Sequence, residues 1–165
     1  FSAFMSQWKK LEKIVLNAGI GKLSTQPNFQ EKVLPEVIKE VAAITGQKPM
    51  TRPARESIAG FKLRAGTVVG LKTTLRSQRM AEFLKKLITV VLPRVRDFRG
   101  LAIRNVDQGG NLTIGIRDYF VFPESSPETS KVNFGVEITL VPKSVKNREE
   151  AVQLYRAIGI PFQKK

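Results

Sequence analysis

Apolar and polar residues alternate with a period of two in four stretches of the chain, at positions 9–20, 71–76, 111–116 and 134–140. Successive side chains of a β-strand point to opposite faces of a sheet, so this period predicts four strands that each bury one face. In the first strand, Ile14 and Leu16 are expected to point inward. The polar sides of the first two strands carry Lys13, Asn17, Lys72, Thr74 and Arg76.

Apolar residues also recur every three or four positions at 28–45 and 77–92, which is typical of amphipathic helices. We expect Asn28 to cap the first helix with Glu31 in the capping-box position, and Ser77 to cap the second. A third helix is expected to begin at Ser144 or Asn147. The residues expected to stop the three helices are Gly46, Pro93 and Gly159.

Prolines and glycines predict the irregular parts of the chain. Pro35 lies inside the first helical pattern, so that helix starts later or kinks there. Positions 47–61 contain Pro49 and Pro53 and predict an irregular or edge strand, because proline cannot donate a ladder hydrogen bond. Positions 62–70 are predicted to form an exposed loop, and positions 117–131 a long mobile loop.

Neighbouring strands mixed with helices predict an α+β fold, with an antiparallel sheet, helices packed on one face and an open basic face on the other. A length of 165 residues suits a single domain over 1–165, with an N-terminal extension at 1–8 and a protruding loop at 62–70. Thr113 joins the five polar residues named above on the expected open face.

The charge of the chain is concentrated around this expected face. The chain has 28 basic and 14 acidic residues, and positions 48–104 alone hold 14 lysines and arginines against three acids, a net +11. Regular apolar spacing in this segment indicates a folded basic surface rather than a disordered tail. Neutralising phosphates releases condensed counterions, so nucleic acid is the first candidate partner and an anionic membrane surface the second.

Several kinds of chemistry are excluded by composition. The chain has no cysteine and no histidine, so disulfides, the usual zinc sites and histidine-based catalysis are absent. The acids are scattered and form no evident catalytic pair, and no apolar run approaches the ~20 residues that span a bilayer. We therefore predict a non-enzymatic protein without catalytic residues, metal, cofactor or membrane partner.

Some features allow two interpretations. The Gly-Ile-Gly-Lys sequence at 19–22 lacks the first glycine and the hydroxyl residue of a phosphate loop, so a turn is favoured. The strand cations fit a solvated face as well as an RNA surface, and Phe61 fits either a base-stacking or a core role. Nearby cations favour the RNA surface: Arg52, Arg55, Lys62 and Arg64.

A series of motifs occurs in one order along the chain. They are Ile-Thr-Gly-Gln-Lys-Pro at 44–49, Ala-Arg-Glu-Ser-Ile-Ala-Gly-Phe-Lys-Leu-Arg at 54–64, Leu-Arg at 75–76, Leu-Pro-Arg-Val-Arg-Asp-Phe-Arg-Gly at 92–100, Gly-Asn-Leu-Thr-Ile-Gly at 110–115, Phe-Pro-Glu at 122–124 and Gly-Ile-Pro-Phe at 159–162. In these motifs the sequence resembles the bacterial-type ribosomal protein L five family, from about residue 13 to the C-terminus.

The resemblance implies an antiparallel sheet backed by helices, in the central protuberance of the large ribosomal subunit, with 5S ribosomal RNA held on the sheet. It also implies contacts with the large ribosomal RNA and with a head protein of the small subunit. Carried over by position, the expected RNA contacts are Lys13, Asn17, Gly19, Gln47, Arg52, Arg55, Ser57, Thr74 and Arg76. The loop at 62–70 would reach the P-site transfer RNA through Lys62, Arg64 and Thr67.

The leading hypothesis is thus a structural ribosomal protein, located in the large subunit within a bacterial cytoplasm or an organellar matrix. A free-standing RNA-binding module or RNA chaperone is the first alternative. An RNA-processing enzyme is the second, and the scarcity of acids in 48–104 disfavours it because acids would be needed to hold metal.

Overall fold

The computed structural model describes residues 7–21, 23, 27–54, 67–96, 98–125 and 134–164. Within them, five strands form one antiparallel sheet in the order β2-β3-β1-β5-β4. The strands are β1 (Leu11–Gly19), β2 (Met50–Pro53), β3 (Val68–Leu75), β4 (Leu112–Ile116) and β5 (Val136–Pro142). The predicted α+β class is confirmed, and β2 lies at a sheet edge as its prolines predicted.

Three α-helices of ten residues or more occur among the described residues: α1 (Leu34–Thr45), α2 (Ser77–Lys86) and α3 (Arg148–Ile158). A π-helical stretch, Phe29–Val33, leads into α1, and another, Leu87–Val91, continues α2 into a last turn at Leu92–Arg94. Short 3-10 turns occur at Trp8–Lys10, Ile103–Asn105 and Tyr119–Val121. None of the helices described is long and apolar enough to cross a membrane.

Each π-helical stretch ends two residues before a proline, at Pro35 and Pro93. Proline lacks an N–H, and its ring crowds the carbonyl four residues earlier. The wider turn accommodates this, because Leu34 and Leu92 bond five residues back, to the carbonyls of Phe29 and Leu87. The irregularity predicted at Pro35 is therefore confirmed. The prediction that Pro93 ends the second helix is wrong, since the helix continues to Arg94.

Two of the predicted helix caps are wrong. Neither Asn28 nor Ser77 makes a side-chain cap bond, and both have positive φ, 59° and 54°. At Asn28 it is the backbone carbonyl that accepts, from the N–H of Lys32 at 2.9 Å. Asn147 does cap α3, because its Oδ1 accepts from the N–H of Glu150 at 2.8 Å.

Backbone contacts divide the chain into two compact units, each assembled from separate segments. The first unit comprises 1–15, 74–115 and 137–165, and the second comprises 16–73 and 116–136. The expectation of one domain over 1–165 stays a prediction.

The first unit buries the apolar sides of α2 and α3 together with Leu11, Ile14 and Leu140. Tyr155 is fully buried among them, and its hydroxyl lies 2.5 Å from the Gly110 carbonyl oxygen and 3.1 Å from that of Leu140. The hydroxyl thus anchors α3 to β5 and to the turn that precedes β4.

The second unit buries one side of α1, with Val37, Val41 and Ile44 at helical spacing. Tyr119 and Phe122 are fully buried as well, and the Tyr119 ring stacks on Phe134 at 4.4 Å between centroids. The expected loop at 117–131 thus contains a short 3-10 turn with two buried aromatic rings, and its mobility stays a prediction. Residues 126–131 lie outside the described residues.

Candidate nucleic-acid interface

The alternation predicted for β3 is confirmed from Leu71 to Leu75. Leu71, Thr73 and Leu75 are buried, whereas the intervening Lys72 and Thr74 are partly exposed. The strand begins earlier than expected, at Val68, so the predicted loop at 62–70 is wrong for its last three residues. Pairing with β2 explains the difference, since it supplies backbone partners for Val68 and Gly70 that local sequence does not reveal.

The register of β2 with β3 brings two predicted cations to one side of the second unit. Arg52 lies opposite Gly70, and Met50 lies opposite Lys72. Directly opposite residues share a face, so Arg52 and Lys72 are diagonal neighbours on the side away from Leu71. Gly70 adds no side chain between them, and Met50 beside them is 65% exposed.

A close approach of β1 adds polar groups to this side. Ile20 donates to the Val69 carbonyl at 3.0 Å, and a Cβ on Gly70 would lie 3.3 Å from the Ala18 oxygen. Extending the antiparallel pairing of β1 and β3 from these contacts places Asn17 opposite Lys72. Asn17 is partly exposed and Gly19 is exposed. We call the group of Asn17, Arg52 and Lys72 the strand-face cluster.

Gln47 lies after α1, outside the paired strands. It follows α1, where its N–H lies 3.3 Å from Thr45 Oγ1, and that hydroxyl in turn donates to the Val41 carbonyl at 2.8 Å. Gln47 is partly exposed. Its expected RNA contact stays a prediction.

In the first unit, one predicted RNA contact has an acidic neighbour. Arg76 Nη1 lies 3.8 Å from Glu12 Oε1, with the two side chains 55% and 49% exposed. An exposed pair of this kind contributes about 0–1 kcal/mol to stability, so a phosphate can compete for the arginine. Sequence reasoning missed this pair, because it depends on how the start of β1 lies relative to the end of β3.

The side of the sheet expected to be open is less uniformly polar than predicted. By alternation Val15 lies on the same side of β1 as Lys13, yet Val15 is 9% exposed while Lys13 is partly exposed. The exposed positions of β4 and β5 carry no described cation: Thr113, Gly115, Glu137, Thr139 and Val141. A single continuous basic face therefore stays a prediction.

Four of the predicted contacts lie outside the described residues: Arg55, Ser57, Lys62 and Arg64. Phe61 lies outside them as well. Thr67 is partly exposed, and its carbonyl accepts from the N–H of Ala54 at 2.7 Å. This bond brings together residues 54 and 67, between which Lys62 and Arg64 lie in the sequence.

Acidic residues do not cluster on the described part of the chain. No group of three or more histidine, cysteine, aspartate or glutamate residues there could hold a metal ion. The described side chains therefore supply phosphate-binding cations and hydrogen-bonding amides, a set suited to binding RNA.

Comparison with known proteins identifies the family. Residues 7–64 match the family described as ribosomal protein L5, and residues 68–162 match the C-terminal part of the same ribosomal family. The large ribosomal subunit protein uL5 of Halothermothrix orenii is 44% identical over 153 residues, which cover 93% of this chain and 83% of that protein. These matches span almost all of the described chain and show that it belongs to the ribosomal protein L5 family.

Proposed function

We propose that this protein is a structural component of the large ribosomal subunit and binds 5S ribosomal RNA through the strand-face cluster. Membership of a ribosomal protein family also accounts for the expected lack of enzymatic activity. The observation that carries the proposal is the register of β2 with β3, which makes the exposed Arg52 and the partly exposed Lys72 diagonal neighbours on one strand face.

The chemistry of the cluster suits a folded RNA rather than a particular base sequence. Arginine and lysine neutralise phosphates, and the Asn17 amide both donates and accepts hydrogen bonds. Phosphate contacts fix the position and register of a protein on RNA but do not distinguish bases. Selectivity for 5S ribosomal RNA would come mainly from the shape of that RNA.

The remaining partners follow from the resemblance. The protein would also contact the large ribosomal RNA and a head protein of the small subunit. It would reach the P-site transfer RNA through Lys62, Arg64 and Thr67. The bond between Ala54 and Thr67 supports the last contact, because it brings together the ends of the segment that carries Lys62 and Arg64. The protein would work in a ribosome of a bacterial cytoplasm or an organellar matrix.

A filter-binding titration against 5S ribosomal RNA tests the proposal. The variant R52Q/K72Q removes two charges from the strand-face cluster, and K32Q/K39Q removes two exposed charges from the π-helical stretch and α1 as the matched control. We expect the first variant to lower the affinity at least tenfold and to reduce the salt slope by about two. The control should change the affinity less than threefold.

Equal losses in the two variants would contradict the proposal, because only net charge would then matter. Equal affinity of the unchanged protein for unrelated RNA of the same length would favour the free-standing RNA-binding module instead. Sedimentation with large ribosomal subunits distinguishes that module from a ribosomal component.

A further inference from the structure

A cleft of about 750 Å³ lies beside α3 in the first unit. One wall is the exposed side of α3, and the other is formed by residues 162–164 together with Ile103. Its charged lining consists of three cations and one acid: Arg148, Arg156, Lys164 and Glu149. None of these residues was predicted to bind RNA, and none belongs to the strand-face cluster.

The C-terminal wall of the cleft is fixed by backbone pairing. Leu101 forms a parallel bridge with Phe162, and it donates to the Pro161 carbonyl at 2.9 Å while accepting from Gln163 at 2.9 Å. Gly100 has a φ of 102°, and a Cβ there would lie 2.7 Å from the Phe162 carbonyl carbon. Only glycine permits this approach without displacing backbone, so the wall is formed before any ligand arrives.

Arg148 gives the cleft a guanidinium group. It is the first residue of α3, it lines the cleft and it is partly exposed, and its Nε atom is buried without a hydrogen-bond partner. A phosphate oxygen brought by a ligand suits the planar guanidinium fork.

Arg156 lies over the ring of Phe162, with its guanidinium carbon 5.8 Å from the ring centroid. Phe162 is partly exposed in the same cleft. Unstacked RNA bases stack on aromatic rings and on arginine planes. The pair therefore offers a planar surface in the same cleft as Arg148, about two turns further along α3.

We propose that this cleft is a second RNA-binding site, which takes an unpaired nucleotide of the large ribosomal RNA. Its phosphate bonds to Arg148 and is neutralised together with Lys164, and its base stacks against the Arg156–Phe162 pair. The inference rests on the proposed function, since it assumes a ribosomal RNA partner. It deepens that function, because it assigns a separate surface to the contact with the large ribosomal RNA. An acidic protein segment is less suited, because it has no planar group to stack on the arginine and phenylalanine.

The test uses the full chain bound to 5S ribosomal RNA and measures association of that complex with large-subunit ribosomal RNA. R148Q/R156Q removes two cleft cations, and K143Q/K146Q removes two exposed cations that do not line the cleft. We expect R148Q/R156Q to weaken association with the large RNA at least tenfold. Its affinity for 5S ribosomal RNA should stay within about twofold of the unchanged protein, and the control should retain both affinities.

A second variant guards against loss of folding, which thermal unfolding of each variant monitors. Lys164→Glu places an acid in the cleft from an exposed position near the C-terminus and should also weaken association with the large RNA. If both cleft variants bind the large RNA as the control does, the inference is overturned. It is overturned as well if they lose 5S ribosomal RNA to the same extent. Polyglutamate serves as a model of an acidic protein segment, and loss of binding to polyglutamate alone would also overturn the inference.

The two proposals fail separately. If R52Q/K72Q retains 5S ribosomal RNA while R148Q/R156Q loses the large RNA, the strand-face proposal is wrong and the cleft stands. If R52Q/K72Q loses 5S ribosomal RNA and the cleft variants match their control, the strand-face proposal stands and the cleft proposal is wrong.

Discussion

Glu12 is expected to compete with a phosphate for Arg76, because the two exposed side chains lie 3.8 Å apart. Removing the Glu12 carboxylate frees Arg76 from its ion pair and removes a negative charge that repels phosphates. The loss of the pair should lower the free energy of unfolding by less than about 1 kcal/mol. We expect Glu12→Gln to raise the affinity for 5S ribosomal RNA two- to fivefold, and Arg76→Ala to lower it. Filter binding at low salt measures both, with Glu36→Gln as the matched loss of an acid on α1. An E12Q affinity no higher than that of E36Q would exclude a role for Arg76.

Tyr155 should make the stability of the first unit depend on alkaline pH. Burial raises the pKa of Tyr155 well above its ordinary value of 10.0. The folded-state pKa exceeds the unfolded one, so this group's contribution to the free energy of unfolding is constant below pH 10 and falls above it. We expect a loss of about 1.4 kcal/mol per pH unit beyond pH 10 that Tyr155→Phe abolishes. Urea unfolding of both proteins at pH 8, 10 and 11 measures their free energies of unfolding. Titration of the lysines affects both proteins equally and cancels in the difference between them. Parallel pH curves would contradict the prediction.

Thr73 carries a hydroxyl that the second unit buries without a hydrogen-bond partner. Valine keeps the shape and removes the unpaired polar atom, so Thr73→Val should raise the free energy of unfolding by about 1 kcal/mol. Thr45→Val is the matched control. The Thr45 hydroxyl is bonded to the Val41 carbonyl, so its removal should lower the free energy of unfolding by a similar amount. Urea unfolding of both variants would show opposite signs, and a shared sign would refute this account of Thr73.

At the scale of elements, the Asn147 cap fixes the start of α3, which forms one wall of the cleft. The Asn147 side chain accepts the Glu150 N–H at 2.8 Å, immediately before Arg148. We expect Asn147→Ala to lower the free energy of unfolding by about 1 kcal/mol, because an N–H at the helix start loses its acceptor. Lys146→Ala, one residue earlier and outside the helix, is the control in the same thermal unfolding series. Indistinguishable midpoints would show that the cap adds nothing.

Periodicity predicted the elements well, because it reports which side of a strand or helix is buried. It could not predict how some of them begin. The cap at Asn28 fails because Pro35 forces a π-helical entry, and in that entry the Asn28 backbone, not its side chain, bonds to the next turn. The start of β3 at Val68 could not be predicted for another reason. It depends on pairing with β2, which is distant in the sequence, and local periodicity does not report such pairing.

At the scale of the molecule, the net charge of +14 should make RNA binding strongly dependent on salt. If four cations contact phosphates, the logarithm of affinity falls with that of salt with a slope of roughly −3. We expect the affinity for 5S ribosomal RNA to drop on the order of 50-fold between 50 and 200 mM salt, by filter binding. A flat profile would mean that phosphates contribute little, and the strand-face proposal would fail with it.

The candidate site was predictable as residue types but not as a constellation. Arg52 and Lys72 are visible as cations in the sequence, yet only the strand register makes them neighbours. The cleft was not predictable at all. In the sequence Arg148 only follows a candidate helix start, and Phe162 only ends the last family motif. The wall that carries Phe162 depends on its pairing with Leu101, about 60 positions away in the chain.

The first unit combines the opening fifteen residues with the closing stretch from 137 onward, and this has a consequence during synthesis. At roughly ten residues per second, β1 waits over ten seconds for the partners that complete its core. During that interval Leu11 and Ile14 remain accessible to chaperones that bind nascent apolar segments. A translation pause before Arg148 would prolong this exposure, so the yield of soluble protein should depend on elongation speed late in the message.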